Sequence, residues 1–171
     1  NQAGKPNGKT IVKAVTAIRK QKLVTIEGHG MLGVPGVAAR AFGAVASTRT
    51  SVPLITQASS EQSICFAVPS ESVTAVLAAL EAAFAVELAQ RDIDRIWAAE
   101  EDVSIITVVG AGMSHTPGVA GQVFSQLGQQ RVNVLAIAQG SSKVSISMVV
   151  DDADTEAAIK TLHELIVPQE V

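Results

Sequence analysis

The sequence predicts an α+β protein built from two copies of one β-α-β-β-α-β unit, with the first copy inserted into the second. Residues 25–68 recur at 107–150 with a constant offset of 82, and 18 of the 44 aligned positions are identical. Such self-similarity indicates a duplicated folding unit. Each copy alternates apolar runs of strand length with apolar faces of helical period. The second copy runs out of sequence before a fourth strand, whereas an unassigned β-branched stretch precedes the first copy.

In the first copy, strands are predicted at 23–27, 51–57, 62–68 and 86–91, with helices that begin near Pro35 and Ser70. Proline is favoured in the first turn of a helix, and serine is a common helix cap. The four residues 58–61 between the middle strands suit a hairpin. We expect an antiparallel sheet that carries both helices on one face.

In the second copy, strands are predicted at 104–109, 133–139 and 143–150, with helices at 117–127 and 154–165. Pro168 interrupts the residues that follow, so we expect the strand at 10–18 to complete this sheet. The predicted domains are therefore 20–98 for the first, and 10–19 with 99–171 for the second. Residues 1–9 are interpreted as a linker. We expect residues 92–102 to link the copies, with Trp97 packed where they meet.

Composition excludes several function classes. The net charge is −3 and no run of Lys or Arg exceeds two residues, so a nucleic-acid-binding face is not predicted. No apolar run approaches the roughly 18–20 residues of a membrane span, and no signal or transit pattern is present. The single cysteine, Cys65, is predicted to be a small core residue rather than a nucleophile. One cysteine cannot form an internal disulfide, which favours a cytoplasmic protein.

The glycines at 28, 30 and 33 spell G-x-G-x-x-G between a strand and a helix. We interpret this match to the dinucleotide fingerprint as coincidental, because no acidic residue follows at positions 47–57 and the next strands form a hairpin rather than a parallel crossover. A glycine-rich turn before a helix can instead serve as a tight turn, or present backbone N–H groups to an anion such as a carboxylate. No histidine pair has metal-ligand spacing and no nucleophile–base arrangement is evident. We therefore predict no catalytic centre, cofactor or metal in this chain.

Gln57 and Gln139 occupy equivalent positions, at the end of the strand that should lie beside this turn. A glutamine amide offers donors and acceptors together, as is needed to hold a free amino acid. Ser-Ser follows both glutamines after one small residue. The alternative to a binding role is a solvent-exposed turn with no ligand.

Four segments carry a resemblance to a known family: EGHGMLGVPGVAARAF, VPLITQASSEQSICFAVP, ITVVGAGMSHTPGVAGQVF and VNVLAIAQGSSKVSISMVV. Together they resemble the paired ACT domains of aspartate kinases, most closely the threonine-sensitive branch that includes the aspartokinase–homoserine dehydrogenases. The resemblance implies nested ferredoxin-like domains that sense an amino acid and regulate a kinase domain. It also implies that residues 1–9 are a linker from a catalytic kinase domain, which is absent from this chain, and that ATP and Mg bind only at that domain. Lys143 and the pair His115-Thr116 depart from the family pattern, so the number of occupied sites stays open.

The resemblance and the repeated chemistry lead to an effector-binding prediction. Threonine is favoured over lysine, because Glu27 and Glu61 have no acidic counterparts in the second copy (Val109 and Lys143) to pair with a second ammonium group. The alternatives are a lysine-sensing region and an oligomerisation module without ligand. A homodimer joined through the ACT domains is expected. The predicted effector-binding residues are Met31, Gly33, Val34, Pro35, Gly36, Val37, Ala38, Ile55, Gln57 and Ser59 in the first copy, and Met113, Pro117, Gly118, Val119, Ala120, Ile137, Gln139 and Ser141 in the second.

Overall fold

The computed structural model describes residues 12–31, 35–56, 63–110, 118–139 and 145–165. The chain divides into two compact units. Residues 19–104 form one, which we call the first-repeat unit. The described residues up to 18 and from 105 onward form the other, which we call the second-repeat unit.

The first-repeat unit is an antiparallel sheet with helices on one face. Its elements are the C-terminal part of β1 (Val12–Glu27), α1 (Val37–Ser47), β2 (Leu54–Thr56), β3 (Ser63–Pro69), α2 (Val73–Ala83), α3 (Ala85–Ala89) and β4 (Arg95–Ala98). The strand order is β2-β3-β1-β4, and each neighbouring pair is antiparallel. Across the sheet, Val24 lies between Phe66 of β3 and Ala98 of β4.

The core of this unit lies between the sheet and α1 and α2. Alternate strand residues point to the helices, as the period-2 pattern of a half-buried strand requires. Phe42 of α1 meets Phe66 edge to face, with ring centroids 5.3 Å apart. Burying each large apolar side chain contributes about 1.5–3 kcal/mol. The fully enclosed members include Val24, Ile26, Phe66, Val68, Val76, Leu80 and Phe84.

The second-repeat unit repeats this plan. It contains the N-terminal part of β1, β5 (Val103–Gly110), α4 (Val119–Gln129), β6 (Val134–Gln139), β7 (Ser145–Asp151) and α5 (Thr155–Glu164), with strand order β1-β5-β7-β6. Its core combines strand residues with one face of each helix. The buried set includes Val12, Ile106, Val108, Val123, Leu127, Met148, Val150, Ala158 and Leu162.

The prediction that an N-terminal strand completes the second sheet is confirmed. β1 is the neighbour of β5, and Val12 is buried in the same cluster as Ile106 and Met148. The expected separation of two strands, at 10–18 and 23–27, is wrong, because β1 is continuous over 16 residues. Lys20 adopts a left-handed φ of 53° within β1. Gln21 beside it is buried and donates from Nε2 to the carbonyl of Arg19 at 3.0 Å.

The predicted strand at 86–91 is wrong. Residues Ala85–Ala89 form α3, and the fourth strand of the first-repeat unit is β4, within the segment expected to be a linker. Trp97, which was expected where the copies meet, belongs to β4 and pairs with Thr25 of β1. The run AVELA is composed largely of strong helix formers, and Val86 is 62% exposed, so its alternation does not mark a buried strand face.

The expected serine cap of the second helix is also wrong. Ser70 begins a 3-10 turn and its Oγ donates to Asp102 Oδ1 at 2.8 Å, while α2 starts at Val73 without a side-chain cap. The hairpin loop predicted at 58–61 lies outside the described residues. Within the described ranges, no helix is both long enough and apolar enough to cross a membrane.

Candidate functional site

The two equivalent helices α1 and α4 begin in the same unusual way. Gly36 and Gly118 are their N-cap residues, with left-handed φ values of 82° and 84°. Each carbonyl accepts the first helical hydrogen bond, from Arg40 N (2.9 Å) and Gln122 N (2.8 Å) respectively. Neither helix receives a side-chain capping hydrogen bond. First-turn N–H groups of a helix without a side-chain cap are the kind of donors that favour an anion.

Backbone conformation, not crowding, requires glycine at these caps. A Cβ built on Gly36 or Gly118 meets nothing within 4 Å, but the left-handed region is costly for residues with a side chain. The following side chains are small: Ala38 and Ala120 are exposed, Val37 is half-buried and Val119 is buried.

The strand that ends in Thr56 reaches the same edge of the sheet as this helix start. β1 and β2 are both antiparallel to β3, and Cys65 of β3 lies opposite both Thr25 and Thr56. β2 therefore runs parallel to β1 and ends where β1 gives way to the 3-10 turn His29–Met31. Gln57 follows Thr56 directly in the sequence. Gln57 itself lies outside the described residues, so its predicted place beside the loop stays a prediction.

The same geometry holds in outline for the second repeat. β6 ends at Gln139, which lies opposite Ile146 of β7 in the backbone register. Ile137 and its counterpart Ile55 are about half-exposed, at 49% and 52%. Both therefore leave apolar surface near the strand end.

Part of the predicted site lies outside the described residues, so its membership stays a prediction. The structure describes both backbone and side chain for nine of the predicted residues: Pro35, Gly36, Val37, Ala38, Ile55, Gly118, Val119, Ala120 and Ile137. For Met31 and Gln139 it describes the backbone alone. The remaining predicted residues, outside the described ranges, are Gly33, Val34, Gln57, Ser59, Met113, Pro117 and Ser141.

The glycines of the G-x-G-x-x-G match have a packing role. A Cβ on Gly28 would lie 2.3 Å from the carbonyl oxygen of Asp92, and one on Gly30 would lie 2.5 Å from Asp92 Cβ. The N–H of Gly30 donates to the Asp92 carbonyl at 2.9 Å. These two glycines therefore admit the chain at 92–93, and the Gly30 N–H is already used. Gly33 lies outside the described residues.

Other candidate reactive groups have structural surroundings. Cys65 is buried, and burial raises the pKa of its thiol, as expected for a core residue. Exposed His29 has Nδ1 3.7 Å from Asp94 Oδ2. Asp154 is the N-cap residue of α5 and forms no side-chain capping hydrogen bond. Among the described residues, no group of three or more His, Cys, Asp or Glu side chains could hold a metal ion.

Two side-chain clusters near the site were not predicted. Trp97 Nε1 donates to Glu27 Oε1 at 3.1 Å, and the Arg95 guanidinium stacks on the Trp97 ring at 4.6 Å. Arg40 of α1 forms an ion pair with Glu87 of α3. The sequence does not predict this ion pair, because the two residues are 47 positions apart and only the tertiary fold brings them together.

Comparisons with known proteins place this geometry in a family. A family model described as ACT domain matches residues 24–84 and 106–165. The chain is 43% identical over 152 residues to a chloroplastic bifunctional aspartokinase/homoserine dehydrogenase from Zea mays, which covers 89% of this chain but 16% of that protein. The chain thus spans about a sixth of this curated relative.

Solved structures of aspartate kinases are similar over nearly the whole chain. The regulatory subunit of aspartate kinase from Thermus thermophilus, in its ligand-free form, has a TM-score of 0.72 and 25% identity, covering 92% of this chain and 99% of that one. E. coli aspartokinase III, in complex with lysine and aspartate, has a TM-score of 0.68 and 26% identity, covering 96% and 35% respectively. The predicted resemblance to aspartate kinase ACT domains and the predicted fold class are confirmed.

Proposed function

Because this chain belongs to the ACT domain family, we propose that it is the regulatory region of an aspartate kinase and that it binds an end-product amino acid, threonine. The observation that carries the proposal is the duplicated helix start: a left-handed glycine cap, N–H groups without a side-chain cap and a strand end at the same sheet edge. An amino acid carboxylate matches those donors. The chain is similar over most of its length to an aspartokinase/homoserine dehydrogenase and to an aspartate kinase regulatory subunit.

Threonine suits a site repeated in both copies better than lysine does, because only the first copy has an acidic residue at the end of the strand that precedes the predicted ligand loop. Glu27 is the acidic residue at the end of β1, and its carboxylate already accepts the Trp97 N–H. The second repeat has Val109 at the equivalent position. A buried lysine ammonium without a carboxylate partner would be costly. A lysine-sensing region is the second candidate, because the similar E. coli aspartokinase III was solved with lysine.

The proposed regulation is feedback inhibition of aspartate phosphorylation in lysine, threonine and methionine synthesis. The amino acid would bind the inhibited arrangement better than the active one, by a coupling free energy of about 1–3 kcal/mol. The proposed partners are an aspartokinase catalytic domain, where ATP and Mg would bind, and a second copy of the chain. The proposed location is the cytoplasm; the maize relative is named as chloroplastic.

Calorimetry on the complete protein with threonine, lysine and glycine as separate titrants tests the proposal. We expect threonine to bind, and replacement of Gln57 or Gln139 by Ala to weaken binding by roughly 1–3 kcal/mol if a buried partner is left unsatisfied. Aspartate kinase activity should fall as threonine saturates. Lysine binding without threonine binding would favour the second candidate. Binding of none of them would indicate a ligand-free oligomerisation module.

A further inference from the structure

We propose that the Arg40–Glu87 ion pair is a positioning device for the first-repeat site, and that α3 carries the state of this site to β4. The inference rests on the proposed function, since it assigns a regulatory route to the same site. Its elements are the first two turns of α1, the segment 83–94 and the turn 28–31, all of which belong to the first-repeat unit.

Arg40 fixes the beginning of α1 through three groups. It lies on α1 directly after the first-turn residues 37–39. Nη1 donates to Glu87 Oε1 at 2.5 Å and Nη2 donates to the carbonyl of Ala83 at 2.7 Å. The guanidinium carbon also lies 4.7 Å from the ring centroid of the fully buried Phe84. The planar guanidinium presents several donors in a fixed fork and also stacks on aromatic faces, so it can contact a carboxylate, a carbonyl and a ring together.

Glu87 links the Arg40 contact to the residues that follow α3. Its side chain holds Arg40, while its backbone carbonyl accepts the N–H groups of Asp92 (2.9 Å) and Ile93 (3.1 Å). The Asp92 carbonyl in turn accepts the Gly30 N–H. Glu87 is therefore hydrogen-bonded directly to Arg40 near the start of α1. Through Asp92 it is also connected to Gly30, in the turn that precedes the predicted ligand loop.

The same segment leads without interruption into β4. The N–H of Asp94 donates to the Glu27 carbonyl at 2.8 Å, and β4 then pairs with β1 from Arg95 onward. A ligand that draws on the α1 N–H groups would shift or tighten α1, and Arg40 would transmit this to α3 and β4. Such coupling requires a contiguous element whose arrangement differs between ligand states.

The second repeat lacks the charged partner. The offset of 82 puts Gln122 at the position of Arg40, and Gln122 is exposed on α4. A neutral amide cannot form an ion pair with a carboxylate. The device therefore distinguishes the first-repeat site from its duplicate, and Gln122 offers a matched control position.

The test compares Arg40→Met, Glu87→Gln and their double variant with Gln122→Met, all in the complete protein, by threonine calorimetry. We expect each single variant to bind threonine at the first-repeat site about fivefold more weakly, the double variant to lose no more than the larger single loss, and Gln122→Met to match the wild type at that site. A purely structural role would lower the melting temperature but leave the Kd of the folded protein unchanged. Wild-type Kd in both single variants, or losses that multiply in the double variant, would overturn the proposal.

Hydrogen exchange separates failure of this inference from failure of the proposed function. If the wild type binds neither threonine nor lysine, the proposed function fails. The inference is then tested by the exchange rates of the Gly30 and Asp94 amides. Faster exchange of both amides in Arg40→Met than in Gln122→Met supports a device that positions the turn. Equal exchange in the two variants overturns it.

Discussion

The backbone dihedral φ of Gly36 and of Gly118 is central to the proposed binding sites. Their φ values of 82° and 84° turn the chain so that the following N–H groups start a helix without a side chain over them. Serine or aspartate, the usual cap residues, would satisfy those N–H groups internally. A glycine cap leaves them for a ligand, at the cost of capping stability.

Replacing Gly36 by Ala should therefore lower stability and weaken effector binding at the first repeat. The methyl group has open space, so the expected cost is conformational strain of about 1–2 kcal/mol. Gly43 of the same helix is the control: it has no left-handed φ and its Cβ would also meet nothing within 4 Å. Gly43→Ala should stabilise by about 0.5–1 kcal/mol. Thermal unfolding of both variants checks this, and equal melting temperatures would contradict it.

Sequence reasoning at this scale found residues but not always their reasons. Cys65 was predicted to be a core residue, and it is buried. The dinucleotide fingerprint could be rejected from the absence of a downstream acid. What Gly28 and Gly30 do could not be predicted, because the atoms they must accommodate belong to Asp92 and Ile93, more than 60 positions later. Local patterns cannot specify such a contact.

Among the elements, α3 is where prediction failed. Val86 and Leu88 alternate with polar or small residues as in a strand, yet five residues carry too few repeats to distinguish period 2 from period 3.6. The tertiary contact of Glu87 with Arg40 supports the helix. The true fourth strand, β4, is short and includes the charged Arg95, so its sequence reads as a linker.

The Arg40–Glu87 pair predicts a pH dependence of stability. The hydrogen bond from Arg40 lowers the pKa of the Glu87 carboxyl below its ordinary value of 4.5. A carboxyl whose folded-state pKa is depressed stabilises the fold above its unfolded-state pKa, and this contribution is lost as pH falls through the folded-state pKa. Glu87→Gln should therefore lower the melting temperature near neutral pH, and the difference from wild type should shrink on acidification. A difference that stays constant between about pH 7 and pH 3 would contradict it.

The nested architecture of the whole molecule could be predicted by counting strands. A duplicated unit needs four strands per copy, and the second copy offered three, so the N-terminal stretch had to supply the last. The continuity of β1 could not be predicted, because residues 19–22 are polar or charged and read as a break. The left-handed Lys20 and the buried Gln21 amide occupy the point where the strand passes from one unit to the other.

The exposed apolar residues on the outer strands predict how two copies associate. β2 and β6 are the end strands in the strand order of their respective units, and proteins normally pair or cover the end strands of a sheet. Ile55 of β2 is 52% exposed, and Leu135 and Ile137 of β6 are 43% and 49% exposed. These side chains are suited to burial against a second copy of the chain.

We therefore expect Ile55→Lys and Ile137→Lys each to shift the complete protein from dimer toward monomer. A lysine on an edge strand opposes pairing because its ammonium group would lose solvent and face its own symmetry mate in a two-fold interface. Val86→Lys is the matched control, because Val86 is 62% exposed but lies on α3 rather than on an edge strand. Light scattering at micromolar concentration should show about half the wild-type mass for the edge variants and an unchanged mass for the control. If all three variants keep the wild-type mass, the dimer does not form through these edges, and a monomeric wild type would contradict the predicted homodimer.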